Sequence, residues 1–248
     1  MPRFFVTKDS ITEQNGEKTV IISGEDAHHI SRSLRMAPKE KIEACDSQGI
    51  VYFCELSEFT EKEVFAKVIS EEKAQSEPKN EIILFQALPK SDKMETIIQK
   101  TTECGVAKIV PFRSERCIVK LDFKDAEKKR ERWQKIAEGG AKQSGRGIIP
   151  TVNAVLDFEP AIKMAMESSL VIFCNEREEV NTIKNALRNG NIDGKISVII
   201  GAEGGFSVKE ADYIMAAGGT SVTLGKRILR CETAPTFVLS CIAYETEM

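Results

Sequence analysis

The feature that most narrows the possible folds is a set of short apolar runs separated by helical spacing. Ile82-Ile-Leu-Phe85, Leu170-Val-Ile-Phe-Cys174, Ile196-Ser-Val-Ile-Ile200 and Ser221-Val-Thr-Leu224 each carry apolar side chains with little alternation. A strand of that kind must be covered on both faces, which is the habit of parallel sheets with helices on either side. The intervening segments supply such helices near 91–104, 125–143, 179–189, 208–217 and 232–246. In the first of these, Ser91 is the expected cap, Met94, Ile97, Ile98 and Thr101 share a face, and Gly105 ends the helix. The reading is an α/β fold with a parallel sheet.

Residues 1–73 read differently. Thr19-Val-Ile-Ile22, Val51-Tyr-Phe-Cys54 and Glu63-Val-Phe-Ala-Lys-Val-Ile69 are β-rich, with turn chemistry at Asp46-Ser-Gln-Gly49 and one helix near Glu25–Met36. Several short strands and one helix predict a small β-barrel-like domain. Residues 71–80 have almost nothing to bury, contain Pro78, and read as an interdomain connection. The expected division is 1–73, a linker at 74–80, and 81–248.

Composition excludes several classes. No apolar run approaches the roughly 18 residues of a membrane span, and the N-terminus lacks a signal-peptide pattern. Seven scattered cysteines without a Cys-x-x-Cys, and only two histidines, argue against a disulfide framework or a metal site. A cytoplasmic protein with reduced thiols and no metal is expected. The net charge is −3, yet residues 86–150 hold six more cations than acids while the flanking segments are acidic. That island is either a positive patch for a nucleic acid or a solvated helix face; charge alone favours the second.

Two late stretches carry the chemistry. In Gly201-Ala-Glu-Gly-Gly-Phe-Ser207 a buried strand enters a glycine-rich turn, and Ser207 with Glu210 fits a capping box at the next helix. The spacing is neither Gly-x-Gly-x-x-Gly nor a P-loop, and Glu203 would repel a phosphate. A cationic ligand or an adenosine without phosphates fits better; a tight turn with no ligand fits equally. In Leu224-Gly-Lys-Arg-Ile-Leu-Arg-Cys-Glu-Thr-Ala234, Arg227 and Arg230 lie near a helix start, where the dipole disfavours cations, while Glu232 is ordinary dipole compensation. Arg113-Ser-Glu-Arg116 and Gln143-Ser-Gly-Arg146 add further donors.

Taken in order, these motifs resemble the RsmE-type family, the 16S ribosomal RNA uridine N3-methyltransferases of the SPOUT superfamily. The resemblance covers nearly the whole chain. It runs from Arg3 through His29 to Arg35, Lys90, Arg113–Arg116, Arg132-Trp133, Gln143–Arg146 and Pro150 to the two late stretches. It departs where Ala202 stands for the family's usual proline and Cys231 for its threonine.

The resemblance implies an N-terminal PUA-like RNA-binding barrel, a C-terminal SPOUT domain with a deep trefoil knot, and a homodimer. It implies S-adenosyl-L-methionine held by Gly201, Ala202, Glu203, Gly204, Gly205, Leu224, Gly225, Ile228 and Leu229. The RNA partner, 16S rRNA in the small ribosomal subunit, would be held by Arg3, His28, Arg32, Arg35, Lys90, Arg116, Lys142 and Arg146. Arg230 would stabilise a uridine anion, with Glu203 or Glu232 orienting it or accepting the proton. Alternatives are a SPOUT methyltransferase acting on a ribose 2′-hydroxyl or another base, or a non-catalytic assembly factor.

Overall fold

A computed structural model describes residues 1–248. The chain folds as two compact units, Met1–Glu77 with Ala141–Ile149, and Pro78–Gly140 with Pro150–Met248. The expected linker 74–80 straddles the boundary at Glu77 and Pro78. Residues 141–149, expected from sequence to belong to the second domain, pack with the first.

The first unit holds β1 (Arg3–Phe5), β2 (Ile11–Gln14), β3 (Glu17–Ser23), α1 (Gly24–His28), β4 (Lys41–Cys45), β5 (Ile50–Phe59) and β6 (Glu63–Lys73). They form one sheet in the order β1-β4-β5-β6-β3-β2, antiparallel except for β1 and β4. Alternate residues Val20 and Ile22, Ile42 and Ala44, Cys54 and Leu56, and Val64 and Ala66 turn to one core. Ala27 of α1 and Ile30 of the following π-helical turn join that core, so helix and sheet share one face. β1, β2 and β4 are absent from the sequence reading; β1 and β2 have only three and four residues, too few to show a period.

Residues 141–149 are pinned into this unit by charge. Arg146 is 3% exposed, and its Nη2 lies 2.6 Å from Glu77 Oε2. Glu77 Oε1 also accepts from the amides of Gly147 (2.9 Å) and Ile148 (3.2 Å). Lys142 pairs with Asp26 at 2.9 Å. Arg3 pairs with Glu43 at 2.6 Å and donates to the Gly145 carbonyl. At Gly147 a Cβ would meet that of Ala74 at 2.3 Å, so only glycine fits.

The second unit contains β7 (Glu81–Ala87), α2 (Lys93–Glu103), β8 (Lys108–Phe112), α3 (Phe123–Ser144), β9 (Thr151–Val152), α4 (Phe158–Ala165) and β10 (Leu170–Cys174). It continues with α5 (Ile183–Asn189), β11 (Lys195–Ile200), α6 (Val208–Ala216), β12 (Thr220–Val222) and α7 (Ala234–Glu247). The last residues of α3, from Ala141, belong to the first unit. All strand pairs are parallel, in the order β12-β10-β11-β7-β8-β9. The expectation of a parallel α/β sheet therefore holds.

One face of this sheet packs on α2, α5 and α7 with Trp133 and Ala137 of α3; the other packs on α4 and α6. β7 shows why its run is apolar: Ile82 and Leu84 enter the first core, Ile83, Phe85 and Ala87 the second. Ser91 does not cap α2. The N-cap position is Asp92, and Ser91 takes a left-handed φ of 56° in the turn before it. Gly105 does end α2, at φ 89°. β9 and α4 are absent from the sequence reading; β9 has two residues and α4 begins with a proline in its first turn.

Glu77→Ala removes the carboxylate that serves Arg146 and two amides. The expected loss is about 3 kcal/mol of stability, read from urea unfolding; a loss within experimental error would show that this pair does not hold 141–149 in place.

Candidate active site

The chain order of the strands creates the site. β7, β8 and β9 step outward in one direction, while β10 lies on the opposite side and β11 returns to fill the gap between β10 and β7. Connections leave in opposite directions at the β7–β11 boundary, and such a switch point opens a crevice at the carboxyl ends of the strands. Three connections meet there: 88–92 after β7, 201–207 after β11 and 223–233 after β12.

Lys93, in the first turn of α2, ties them together. Its Nζ lies 2.8 Å from Glu203 Oε1 and 3.6 Å from Glu232 Oε2. Glu203 also accepts from the Lys90 amide at 3.1 Å. Burial pushes the Glu203 carboxyl up, but Lys93, its own amide and the Lys90 amide together hold it below the usual carboxylate range. Glu232 is likewise held low: burial raises it, while its own amide, the Cys231 thiol and Lys93 outweigh that. Both acids are ionised at neutral pH and are weak bases. They suit a neighbouring cation better than a proton transfer. Burial, then the hydrogen bond to Glu232, pushes the Cys231 thiol up to about 12, so this sulfur is no nucleophile.

The glycine loop is braced from several sides. The capping box forms as expected: Ser207 Oγ accepts from the Glu210 amide and Glu210 Oε2 from the Ser207 amide. Glu210 Oε1 accepts from the Glu115 amide at 2.7 Å, Arg116 Nη1 donates to the Gly204 carbonyl at 2.8 Å, and Arg177 Nη2 donates to the Phe206 carbonyl at 3.2 Å. Of the three loop glycines only Gly205 has a positive φ, 61°, and a Cβ there would strike the Glu176 carboxylate. Ala202 turns its side chain into the core formed by Phe85, Phe112 and Phe206, so only its backbone faces a ligand.

The stretch 224–230 is differently made. No amide from Lys226 to Arg230 donates within the chain, and Gly225, at φ 106°, has open space where a Cβ would be. Leu224 and Leu229 pack half-buried against the sheet, whereas Ile228 is 93% exposed. Arg230 is 82% exposed and 3.9 Å from Glu232. Free amides, apolar patches and ionised carboxylates form a donor set that fits a flat nucleoside joined to a cation, and the residues present therefore suit S-adenosylmethionine.

The structure thus joins the loop 201–207 to the stretch 223–233 through Lys93, which pairs with Glu203 and Glu232, and places Arg230 beside Glu232. The residues expected to hold RNA divide. His28, Arg32, Arg35 and Lys90 are exposed, and His28 and Arg32 line a groove of about 720 Å³ with Phe59 and Lys62. Arg3, Lys142 and Arg146 are instead engaged in ion pairs within the first unit, and Arg116 holds the glycine loop. Their guanidinium and ammonium groups position the fold; each found an acid or carbonyl far away in sequence. Lys93, which pairs with both acids, and Arg177, which braces the glycine loop, are residues that motif reading missed. The nearness of Lys93 to Lys90 in sequence is the only signal for it.

Comparison with known proteins fits this geometry. Residues 75–243 match the family model of an RNA methyltransferase domain, and residues 22–69 match an RNA methyltransferase PUA domain. Ribosomal RNA small subunit methyltransferase E of Bacillus subtilis is 35% identical, covering 100% of this chain and 98% of that protein. The protein of the same name from Mesomycoplasma hyopneumoniae is 34% identical over 98% of this chain and 99% of its own. The crystal structure of the methyltransferase E of Neisseria gonorrhoeae bound to S-adenosyl methionine superposes with a TM-score of 0.86. It is 31% identical and covers 99% of this chain and 98% of that one.

The depressed carboxyls have a consequence for pH. Groups whose folded pKa is lowered stabilise the fold above their unfolded pKa and lose that contribution as pH falls through the folded value. Lys93→Met is expected to move Glu203 and Glu232 upward and flatten the acid limb of the stability curve, followed by carboxyl-carbon NMR and urea unfolding between pH 3 and 6. An unmoved Glu203 titration would remove Lys93 as a cause.

Proposed function

Because the chain belongs to the small-subunit methyltransferase E family of RNA methyltransferases and is an S-adenosylmethionine-dependent rRNA methyltransferase, we propose that it methylates N3 of a uridine in 16S ribosomal RNA. The observation that supports this is the junction of Lys93 with Glu203 and Glu232, which ties the two late loops together at the carboxyl ends of the strands, with an exposed guanidinium beside Glu232.

The cofactor supplies an electrophilic methyl group on a sulfonium. The chain's own residues do the rest. Amides of the 226–230 stretch and the half-buried Leu224 and Leu229 hold the nucleoside, while the ionised Glu203 and Glu232 favour positive charge nearby. The N3–H of uridine must lose its proton before a lone pair can attack. Arg230, exposed and only loosely paired, donates to the base's carbonyl oxygens and stabilises the anion. Glu232 orients this guanidinium. The proton leaves to solvent, since neither depressed carboxylate is a useful acceptor. The new C–N bond forms as the sulfonium C–S bond breaks, and alignment of the two is a large part of the catalysis.

N3 lies on the pairing edge, so the target uridine is unpaired or flipped out when it reacts. The exposed His28, Arg32 and Arg35 contact phosphates and sugars and set the register of the RNA without reading sequence. The working form is a homodimer in the cytoplasm acting on the small subunit, with a second copy covering the apolar surface at Ile228. The path of the chain through 201–233 is the deep trefoil knot of the SPOUT fold.

Arg230→Ala is expected to slow single-turnover methylation roughly 10²–10³-fold while S-adenosylmethionine affinity stays near wild type. Nucleoside mass spectrometry of small subunits treated with the wild-type protein should show 3-methyluridine. A 2′-O-methylated product, or an unchanged rate, would refute the assignment. Arg32→Glu with Arg35→Glu is expected to weaken RNA binding and lower the salt slope by about two. An unchanged slope would place these residues outside the RNA contact.

A further inference from the structure

β7 ends in a buried amide that the fold uses only in half: its nitrogen is bonded and its oxygen is not. Gln86 is fully buried and stands opposite Ile200 in the β7–β11 register, one residue before Gly201. By strand alternation its side chain lies on the face of Ile82 and Leu84. Nε2 donates to the carbonyls of Ala87 (3.0 Å) and Gly201 (3.2 Å). Those two acceptors use both donor hydrogens and fix the orientation of the amide, because a turned-over amide would set oxygen against oxygen. Oε1 is then left buried with no partner in the chain.

An orphaned acceptor is a cost to folding that the two bonds made by the nitrogen only partly offset. The use of the oxygen therefore lies in something that binds. Its sheet face carries Ile200 and Val222, which belong to the core that Leu224 and Leu229 pack against half-buried, and its own bond to Gly201 places it at the start of the glycine loop. A neutral acceptor among aliphatic side chains suits a weakly hydrated aromatic amine. A charged ammonium instead matches the carboxylates of Glu203 and Glu232 beside Lys93. We propose that Gln86 Oε1 accepts a hydrogen bond from the 6-amino group of the cofactor's adenine, making Gln86 a specificity-determining residue. This rests on the reading of 201–205 and 224–229 as the cofactor loops.

Calorimetric titration with S-adenosylhomocysteine and with S-inosylhomocysteine, whose ring carries a carbonyl in place of the amine, tests it. The wild-type protein is expected to prefer the adenosyl ligand by roughly tenfold or more. Gln86→Met should bring the two affinities together, with a cooperative thermal transition of the ligand-free protein showing that the variant is folded. Gln86→Glu, neutral when buried, keeps one acceptor and one donor and should restore the preference. If Gln86→Met fails to fold, Gln86→Leu takes its place. A variant lacking the acceptor that keeps the wild-type ratio, or a wild-type protein that binds both ligands alike, overturns the proposal and leaves the cofactor loops standing. No heat from either ligand with the wild-type protein overturns the loops and the proposal together.

Discussion

The parallel pairing of β7 with β11 governs the geometry of the second unit. Six residue pairs, from Glu81 with Lys195 to Gln86 with Ile200, fix where each strand ends. Because both strands run in the same direction, the connections that follow them emerge at the same edge. A shift of two residues would keep the inward faces but part Glu203 from the Lys90 amide and from Lys93. Helices on both faces make such a slip costly, since Ile82, Leu84, Val198 and Ile200 fill one core while Ile83, Phe85 and Ile199 fill the other. The precision of the crevice comes from packing at a distance from it.

Charge in the crevice is arranged so that no group is a strong base. Two partly buried carboxylates share one ammonium, and both stay ionised. A site built for general-base chemistry at neutral pH would raise a carboxyl instead. Lowered acids, free amides and an exposed guanidinium fit a reaction in which the electrophile arrives already activated and the acceptor needs its anion stabilised. Arg230 itself is 82% exposed and is held only by Glu232, at 3.9 Å.

The basic island shows how charge counted along a chain misleads. Lys142 and Arg146 are part of the surplus that invites a nucleic-acid reading, yet both are matched by acids from the first 77 residues. Arg146 is buried almost completely and holds the segment after α3 against Glu77. Its partner lies 69 residues away, a separation at which no local pattern links them. Of the exposed residues expected to hold RNA, His28, Arg32 and Arg35 come from an acidic stretch of sequence, where net charge would not direct attention, and Lys90 alone comes from the island.

The architecture and the two loop motifs were legible in the amino-acid order alone. Continuous apolar runs require a doubly covered sheet, and Gly201–Ser207 with Glu210 requires a tight turn into a capped helix; these are local properties that survive without knowing what lies next to them. Which side chains act together emerged only on folding. The order β12-β10-β11-β7-β8-β9 brings Lys93 from the start of α2 and Glu203 and Glu232 from two separate connections to one point, and it leaves Gln86 with a buried oxygen to satisfy. Electrostatics and hydrogen bonding fall off over a few ångströms of space, while a sequence records only distance along the chain. The pairs that set the chemistry are therefore written in the fold.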